Sequence, residues 1–279
     1  KIGFIGLGNM ATAIIGGLLR EDTALSSEDG NVTVITAANI IGSAKTEATR
    51  RAKAEQFGIA VTASNREVAE AADVLVLAVK PQFFPEVIAE IRDAVSENTL
   101  VISIAAGLTL ERIAAIFDRN VTTMRLIRCM PNTPALVNAG CTAVVPGPGA
   151  TEADEALCLR LMESFGRAIV IPERLMDAAS ATAGSSPAFV FMLHRGPGRW
   201  RRGRWDAPRA SVAKFAAAAV AGSAQLVLET GRHPGDLKDM VCSPAGTTIE
   251  GVRALEERRF PRIGHECHIS LRGKGVKAL

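Results

Sequence analysis

Lys1 to Ile5 is a short stretch that turns apolar after its first residue, and over 9–20 the spacing becomes helical, with Met10, Ala13, Ile14, Gly17 and Leu18 on one face. A strand and a helix are predicted there, joined by the turn at 6–8. Val32-Thr33-Val34-Ile35 reads as the second strand, and the polar stretch through 50–56 to Gly58 as a helix after it. Ser64-Asn65-Arg66-Glu67 has the Ser-x-x-Glu spacing of a capping box, so a helix is expected to start before Val68 and Ala72. Residues 74–79 and 100–104 are continuously apolar, as in strands buried on both faces, and end in the turns Lys80-Pro81 and Ala105-Ala106-Gly107. Past 172 strand signals stop, and 211–230 reads as a helix with Val212, Phe215, Ala219, Leu226 and Val227 near one face. The pattern predicts an α/β protein: a doubly wound, mostly parallel sheet over 1–172 and an all-α domain over 173–279. The small residues Ala216, Ala217, Gly222 and Ser223 let helices approach closely and favour a helix-packed homodimer.

Composition narrows this picture. The 279 residues suffice for two ordinary domains, and with 48% hydrophobic but 4% aromatic residues the core is aliphatic. Thirty-two basic against 29 acidic side chains, a formal charge of +3, is too balanced to suggest nucleic acid or an anionic membrane as partner. The five cysteines (Cys129, Cys141, Cys158, Cys242, Cys267) form no CxxC pair and lie far apart, which argues against structural disulfides and zinc and fits a reducing cytoplasm. Glycines interrupt the apolar opening, which therefore reads as a folded element rather than a signal peptide. No apolar run reaches the ~20 residues of a membrane span.

Candidate chemistry begins at Gly6-Leu7-Gly8-Asn9-Met10-Ala11. Gly6-x-Gly8-x-x-Ala11 follows a predicted strand and opens a predicted helix, the context in which this spacing indicates a dinucleotide site. The first glycine permits the tight turn, the second admits the pyrophosphate, and Ala11 allows close helix–strand packing, with free helix-start amides meeting the phosphates. After the second predicted strand, an NAD-selective site usually carries an acid for the ribose 2′-hydroxyl. Here stand Thr36-Ala37-Ala38-Asn39, with Lys45, Arg50 and Arg51 beyond. Hydroxyl and cationic groups tolerate a 2′-phosphate, which favours NADPH, with NADH accepted as a second donor. A solvated helix face accounts for Arg50 and Arg51 equally well.

The strings Cys129-Met130-Pro131-Asn132-Thr133-Pro134 and 233–251, the latter containing Cys242-Ser243-Pro244-Ala245-Gly246-Thr247-Thr248, closely resemble pyrroline-5-carboxylate reductases. Phe4-Ile5-Gly6-Leu7-Gly8-Asn9-Met10, Ala78-Val79-Lys80-Pro81, Ala105-Ala106-Gly107 and Gly184-Ser185-Ser186-Pro187-Ala188-Phe189 extend the resemblance along nearly the whole chain. It implies a Rossmann domain with a helical dimerisation domain, often assembled into a decamer, and reduction of 1-pyrroline-5-carboxylate to L-proline. It also implies that Asn65, Ala78, Val79, Lys80, Pro81 and Ala106 surround the dinucleotide, that Glu173 lies near the substrate, and that the Thr248 hydroxyl bonds the substrate nitrogen; Asn132 and Thr133 lie in a Pro-bounded turn placed to approach the nicotinamide as part of the cofactor site. The loop residues Ser243, Ala245, Gly246 and Thr247 lead into a helix predicted over 249–257, where backbone amides and the helix dipole suit a carboxylate. A helix N-cap is the plain structural alternative for Thr248. For Asn132 and Thr133 it is a purely structural turn.

Two segments depart from the resemblance. Over 194–207 glycine, proline, arginine and both tryptophans replace an expected amphipathic helix, and 261–272 is similarly altered; compensated frameshifts in the source DNA explain both. His265, Cys267 and His268 fall in the second segment and are read as coincidence, so no metal site is expected. Two other functions stay open: a related Rossmann imine or hydroxyacid reductase, and a dinucleotide sensor without turnover.

Overall fold

The computed structural model describes residues 1–20, 24–26, 32–195, 209–243 and 246–258. The chain divides into two compact units, the first ending at Gly184 and the second beginning at Ser185.

In the first unit the elements run β1 (Ile2–Ile5), α1 (Asn9–Leu18), β2 (Ala24–Ser26), β3 (Val32–Val34), β4 (Ile40–Ser43), α2 (Glu47–Phe57), β5 (Ala60–Thr62), α3 (Asn65–Ala71), β6 (Val74–Leu77), α4 (Phe84–Ile91), β7 (Leu100–Ser103), α5 (Leu110–Ile116), β8 (Leu126–Met130), β9 (Gly140–Pro146), α6 (Glu152–Glu163), β10 (Gly166–Val170) and α7 (Met176–Ala179). Eight strands form one sheet in the order β10-β9-β8-β7-β6-β1-β4-β5. All neighbours are parallel except β8 and β9. Burial on both faces explains the unbroken apolar runs of β1, β6 and β7, each strand fully buried. One face packs Leu75, Ile88, Ile113 and Leu126 together, and the other Phe4, Ile14, Ile102 and Phe165. Each such side chain contributes roughly 1.5–3 kcal/mol.

Helix starts follow local chemistry. Ser64 accepts the Glu67 amide at the head of α3, as its spacing predicted, although the Glu67 carboxylate takes the Thr62 hydroxyl instead of closing the box. Thr46, Thr109 and Thr151 cap α2, α5 and α6, and Gly58 ends α2 in the left-handed conformation. Asp154 completes a reciprocal capping box with Thr151 and is 1% exposed, and Arg125 grips it through Nε at 3.0 Å and through Nη2. Burial pushes the Asp154 carboxyl up, but Arg125 and Thr151 together outweigh it and hold the group below the ordinary carboxylate range.

The second strand differs from expectation. Val32–Val34 does form a strand, but it pairs antiparallel with Ala24–Ser26 in a separate hairpin. The strand beside β1 is β4, Ile40-Ile41-Gly42-Ser43, in parallel register with Ile2 to Ile5. Its glycine is required by packing: a Cβ on Gly42 would stand 2.6 Å from Leu7 Cδ2.

Every described element after Val170 is helical. A π-helical turn, Ser180–Gly184, follows α7 and ends the first unit. The second unit contains α8 (Ser186–Arg195), α9 (Arg209–Thr230), α10 (Pro234–Val241) and α11 (Thr247–Glu257). No helix among the described residues is long and apolar enough to cross a membrane. The altered segments fall almost entirely outside the described residues, as do His265, Cys267 and His268.

Candidate functional site

Strand β1 lies between β4 and β6, so consecutive connections leave it in opposite directions and a crevice opens at the carboxyl ends of these strands. The turn after β1 forms its floor. Gly6 has φ +93°, and a Cβ there would meet Val79 Cγ1 at 2.9 Å and the Ala78 carbonyl oxygen at 3.0 Å. The turn is tied to both neighbours: Gly6 N–H donates to Ser43 O, and Ala78 N–H to Ile5 O. Helix α1 begins at Asn9 with Gly8 as N-cap and no side-chain cap, so its opening amides remain uncommitted to a side chain. Gly8 faces open space, with no atom within 4 Å of a Cβ placed on it. Leu7 is buried in the core and Ala11 is 1% exposed, which brings the helix start close to the sheet.

The neighbouring carboxyl-end turns carry the other expected residues. Ala78, Val79, Lys80 and Pro81 follow β6, with Lys80 opening a 3-10 turn at Pro81–Phe83. Ala106 lies in the turn after β7, beside Gly107 at φ +79°. Asn65 opens α3; its Oδ1 accepts the Ser43 hydroxyl at 2.7 Å and its Nδ2 donates to Glu90 Oε2 at 2.6 Å.

Thr36 requires a correction. Because β4 rather than 32–35 is the second sheet strand, Thr36 precedes that strand and stands at its amino end, away from the crevice. There its amide and hydroxyl both donate to Asn39 Oδ1 at 2.9 Å. The residues that do follow the second sheet strand are Ala44, Lys45 and Thr46. Arg50 folds over this turn, its Nη1 donating to the carbonyls of Ala44 at 2.7 Å and Lys45 at 3.0 Å. Arg51 instead pairs with Glu55 on the solvated face of α2. Arg51 thus follows the solvated-face account, and Arg50 lies against the turn after β4.

Glu173 and Asn132 are both engaged by hydrogen bonds within the first unit. Glu173 Oε1 accepts the Leu110 amide at 2.9 Å and Arg128 Nη1 at 3.0 Å, bracing the start of α5 against a buried arginine on β8. Asn132 is 9% exposed, and its amide is used at both ends. Nδ2 donates to Ala183 O at 3.0 Å, and Oδ1 accepts the Cys141 amide at 2.8 Å. Arg128 was absent from the sequence reading, since nothing local distinguishes an arginine in an apolar strand.

In the second unit, α11 starts two residues earlier than predicted: Gly246 is its N-cap, and Thr247 and Thr248 lie in the first turn. Thr248 is therefore not the cap. Gly246 N–H closes back onto Ser243 O at 3.0 Å, and no side chain caps the helix start. Ala245 lies outside the described residues. Among the described residues no three His, Cys, Asp or Glu side chains are placed to hold a metal ion.

A glycine turn with open helix-start amides at a topological switch point, followed by an all-helical unit, defines a dinucleotide-dependent oxidoreductase with a helical second domain. Residues 1–107 match the family described as NADP oxidoreductase, coenzyme F420-dependent, and 173–271 match pyrroline-5-carboxylate reductase dimerisation. The pyrroline-5-carboxylate reductase of Escherichia coli K12 is 46% identical over 266 residues, covering 93% of this chain and 91% of that protein. Among solved structures, the pyrroline-5-carboxylate reductase of Coxiella burnetii superposes with a TM-score of 0.86 at 28% identity, covering 99% of this chain and 97% of that one. The Plasmodium falciparum pyrroline carboxylate reductase with NADP bound reaches 0.81 at 25% identity, again over 99% and 97%. The chain belongs to the pyrroline-5-carboxylate reductase family.

Proposed function

We propose that this chain reduces the C=N bond of 1-pyrroline-5-carboxylate to give L-proline, with NADPH as preferred donor and NADH as a second one. The observation that carries the reading is the uncapped start of α1 at residues 6–11, which offers backbone amides and open space to a pyrophosphate. Asn65, Ala78, Val79, Lys80, Pro81 and Ala106 complete the cofactor site. Lys45, Thr46 and Arg50, after the second sheet strand, supply the cationic and hydroxyl groups that a 2′-phosphate needs. The Plasmodium relative's bound NADP supports the same preference.

When bound, the reduced nicotinamide supplies the hydride that adds to the imine carbon. The protein's part is orientation and electrostatics, because a protonated imine is already electrophilic. In this reading Ser243, Ala245, Gly246 and Thr247 hold the substrate carboxylate at the start of α11, where amides and dipole favour an anion. The Thr248 hydroxyl, released from any capping duty, bonds the ring nitrogen and keeps its proton in place during hydride addition. Glu173, whose Oε1 is held by Arg128 and the Leu110 amide, stands near the substrate as a positioning residue in this reading. The helical domain, beginning in the segment 173–184, forms a homodimer that assembles further into a decamer in the cytoplasm.

The test is oxidation of NADPH by the purified protein on addition of 1-pyrroline-5-carboxylate, followed by loss of reduced-nicotinamide absorbance. Thr248→Val is expected to lower kcat/KM about tenfold, the worth of one hydrogen bond of ~1.4 kcal/mol. Binding of NADPH without oxidation would instead identify a sensor.

A further inference from the structure

Asn65 opens α3 between two neighbours that treat its amide differently. On one side stands Ser43, the last residue of β4 and 1% exposed. Its carbonyl accepts the Gly6 amide at 3.1 Å, and its hydroxyl donates to Asn65 Oδ1 at 2.7 Å. On the other stands Glu90, an exposed residue of α4, whose Oε2 accepts from Asn65 Nδ2 at 2.6 Å. A line of hydrogen bonds thus runs from the glycine turn through β4 and α3 to α4, all within the sheet-containing unit. The two ends of a primary amide have nearly the same shape, so its partners, not packing, decide which end faces which neighbour. A serine hydroxyl donates or accepts and suits either end. An ionised carboxylate only accepts, so it admits Nδ2 and repels Oδ1. Glu90 therefore sets the orientation of the Asn65 amide, and Ser43 follows it.

We propose that Glu90 is a positioning residue for the dinucleotide: it holds the Asn65 amide so that one Nδ2 hydrogen is spent on the carboxylate and the other is left as a donor for the cofactor. The inference rests on the reading that Asn65 belongs to the cofactor site. A donor is what such a site needs, because the phosphate and ribose oxygens of a dinucleotide accept hydrogen bonds. Turned the other way, the amide would offer an oxygen to an anion. Glu90 acts through Asn65 and is not itself a cofactor ligand.

Glu90→Leu leaves the amide free to turn over. In the full-length assembled protein, Kd for NADPH, read by nucleotide fluorescence, and KM for NADPH are expected to rise about fivefold, because affinity falls with the fraction of the competent orientation. Over the same comparison kcat, and KM for 1-pyrroline-5-carboxylate, should stay within about twofold. Glu90→Gln keeps an acceptor but can also present a donor, and should cost about twofold or less. Asn65→Ala, which lacks the donor, should weaken NADPH about tenfold, and adding Glu90→Leu to it should cost nothing more. A wild-type Kd in Glu90→Leu beside a weakened Asn65→Ala overturns the positioning role alone, whether or not the melting temperature falls. A further loss in the double variant overturns it as well, since Glu90 would then act independently of Asn65. Tighter NADPH binding in both Glu90 variants overturns it in favour of bare charge repulsion. A wild-type Kd in Asn65→Ala fails the underlying reading, and the proposal with it.

Discussion

Side chains such as Ile5, Leu75, Ile88 and Leu126 are completely enclosed in the sheet-containing unit, whereas Phe191, Phe215 and Met240 of the helical unit stand 61%, 76% and 57% exposed in the single chain. The first unit covers its sheet on both faces with its own helices. Leu237 is the helical unit's buried apolar side chain among the described residues. An apolar surface of that kind is an interface, and the match of 173–271 to a dimerisation family agrees. Two routes to stability therefore share one chain. One unit buries its apolar side chains internally, while the other leaves them exposed for association, on which its stability is expected to depend.

The most severe way to break this contrast is Phe215→Glu, which places a charge on the exposed face of α9. It is expected to dissociate the oligomer and lower turnover by about 100-fold or more, since uncompensated burial of a charge costs several kcal/mol. Sedimentation gives the mass, and nucleotide fluorescence should report a Kd for NADPH close to wild type. A variant that remains an active dimer would remove the distinction.

Gly6→Val acts on the first unit alone. The φ of +93° and the 3.0 Å approach of the Ala78 carbonyl leave no room for a branched side chain. NADPH affinity should weaken about 100-fold, a loss of ~2.7 kcal/mol, with the oligomer intact by sedimentation.

Asp154→Ala is the smallest of the three in its effect on turnover and sharpens the comparison through pH. It removes a capping box and takes from Arg125 its carboxylate partner, leaving the bond to the Asn98 carbonyl, for about 2 kcal/mol of stability in the first unit. Because the folded carboxyl is held below its ordinary value, its contribution is fully present above the unfolded value of ~3.9 and is lost as pH falls through the folded one. Wild-type melting temperature should consequently drop on acidification below about pH 4 more steeply than that of Asp154→Ala. Parallel acid profiles would show that the pair adds nothing.

Local signals were legible in the sequence where structure is decided locally. β1, the Gly6 turn, the Ser64 cap and the buried runs of β6 and β7 all follow from spacing and residue type within a few positions. Strand β4 escaped because Ile40-Ile41-Gly42-Ser43 is short and carries a glycine, while Val32-Thr33-Val34-Ile35 has better β-forming residues. The glycine is there for Leu7, a partner 35 positions away in sequence, and Thr36 was misplaced along with the strand. Long-range pairings were invisible for the same reason. Arg128 with Glu173, Asn132 with Ala183, and the buried thiols of Cys129 and Cys158, 3.5 Å apart, become neighbours only once the sheet is assembled. The hydrogen bond with Cys158 and burial push the Cys129 thiol well above the ordinary thiol range.

The strand order also has a temporal side. β1 lies near the middle of the sheet, but its two neighbours follow it in sequence and begin only at Ile40 and Val74. A growing chain must carry four apolar residues unpaired until the ribosome has released both partners. At ~5–20 residues per second that interval lasts several seconds. Nascent chains truncated before β6 should therefore be bound by chaperones, and those extending past it should be released.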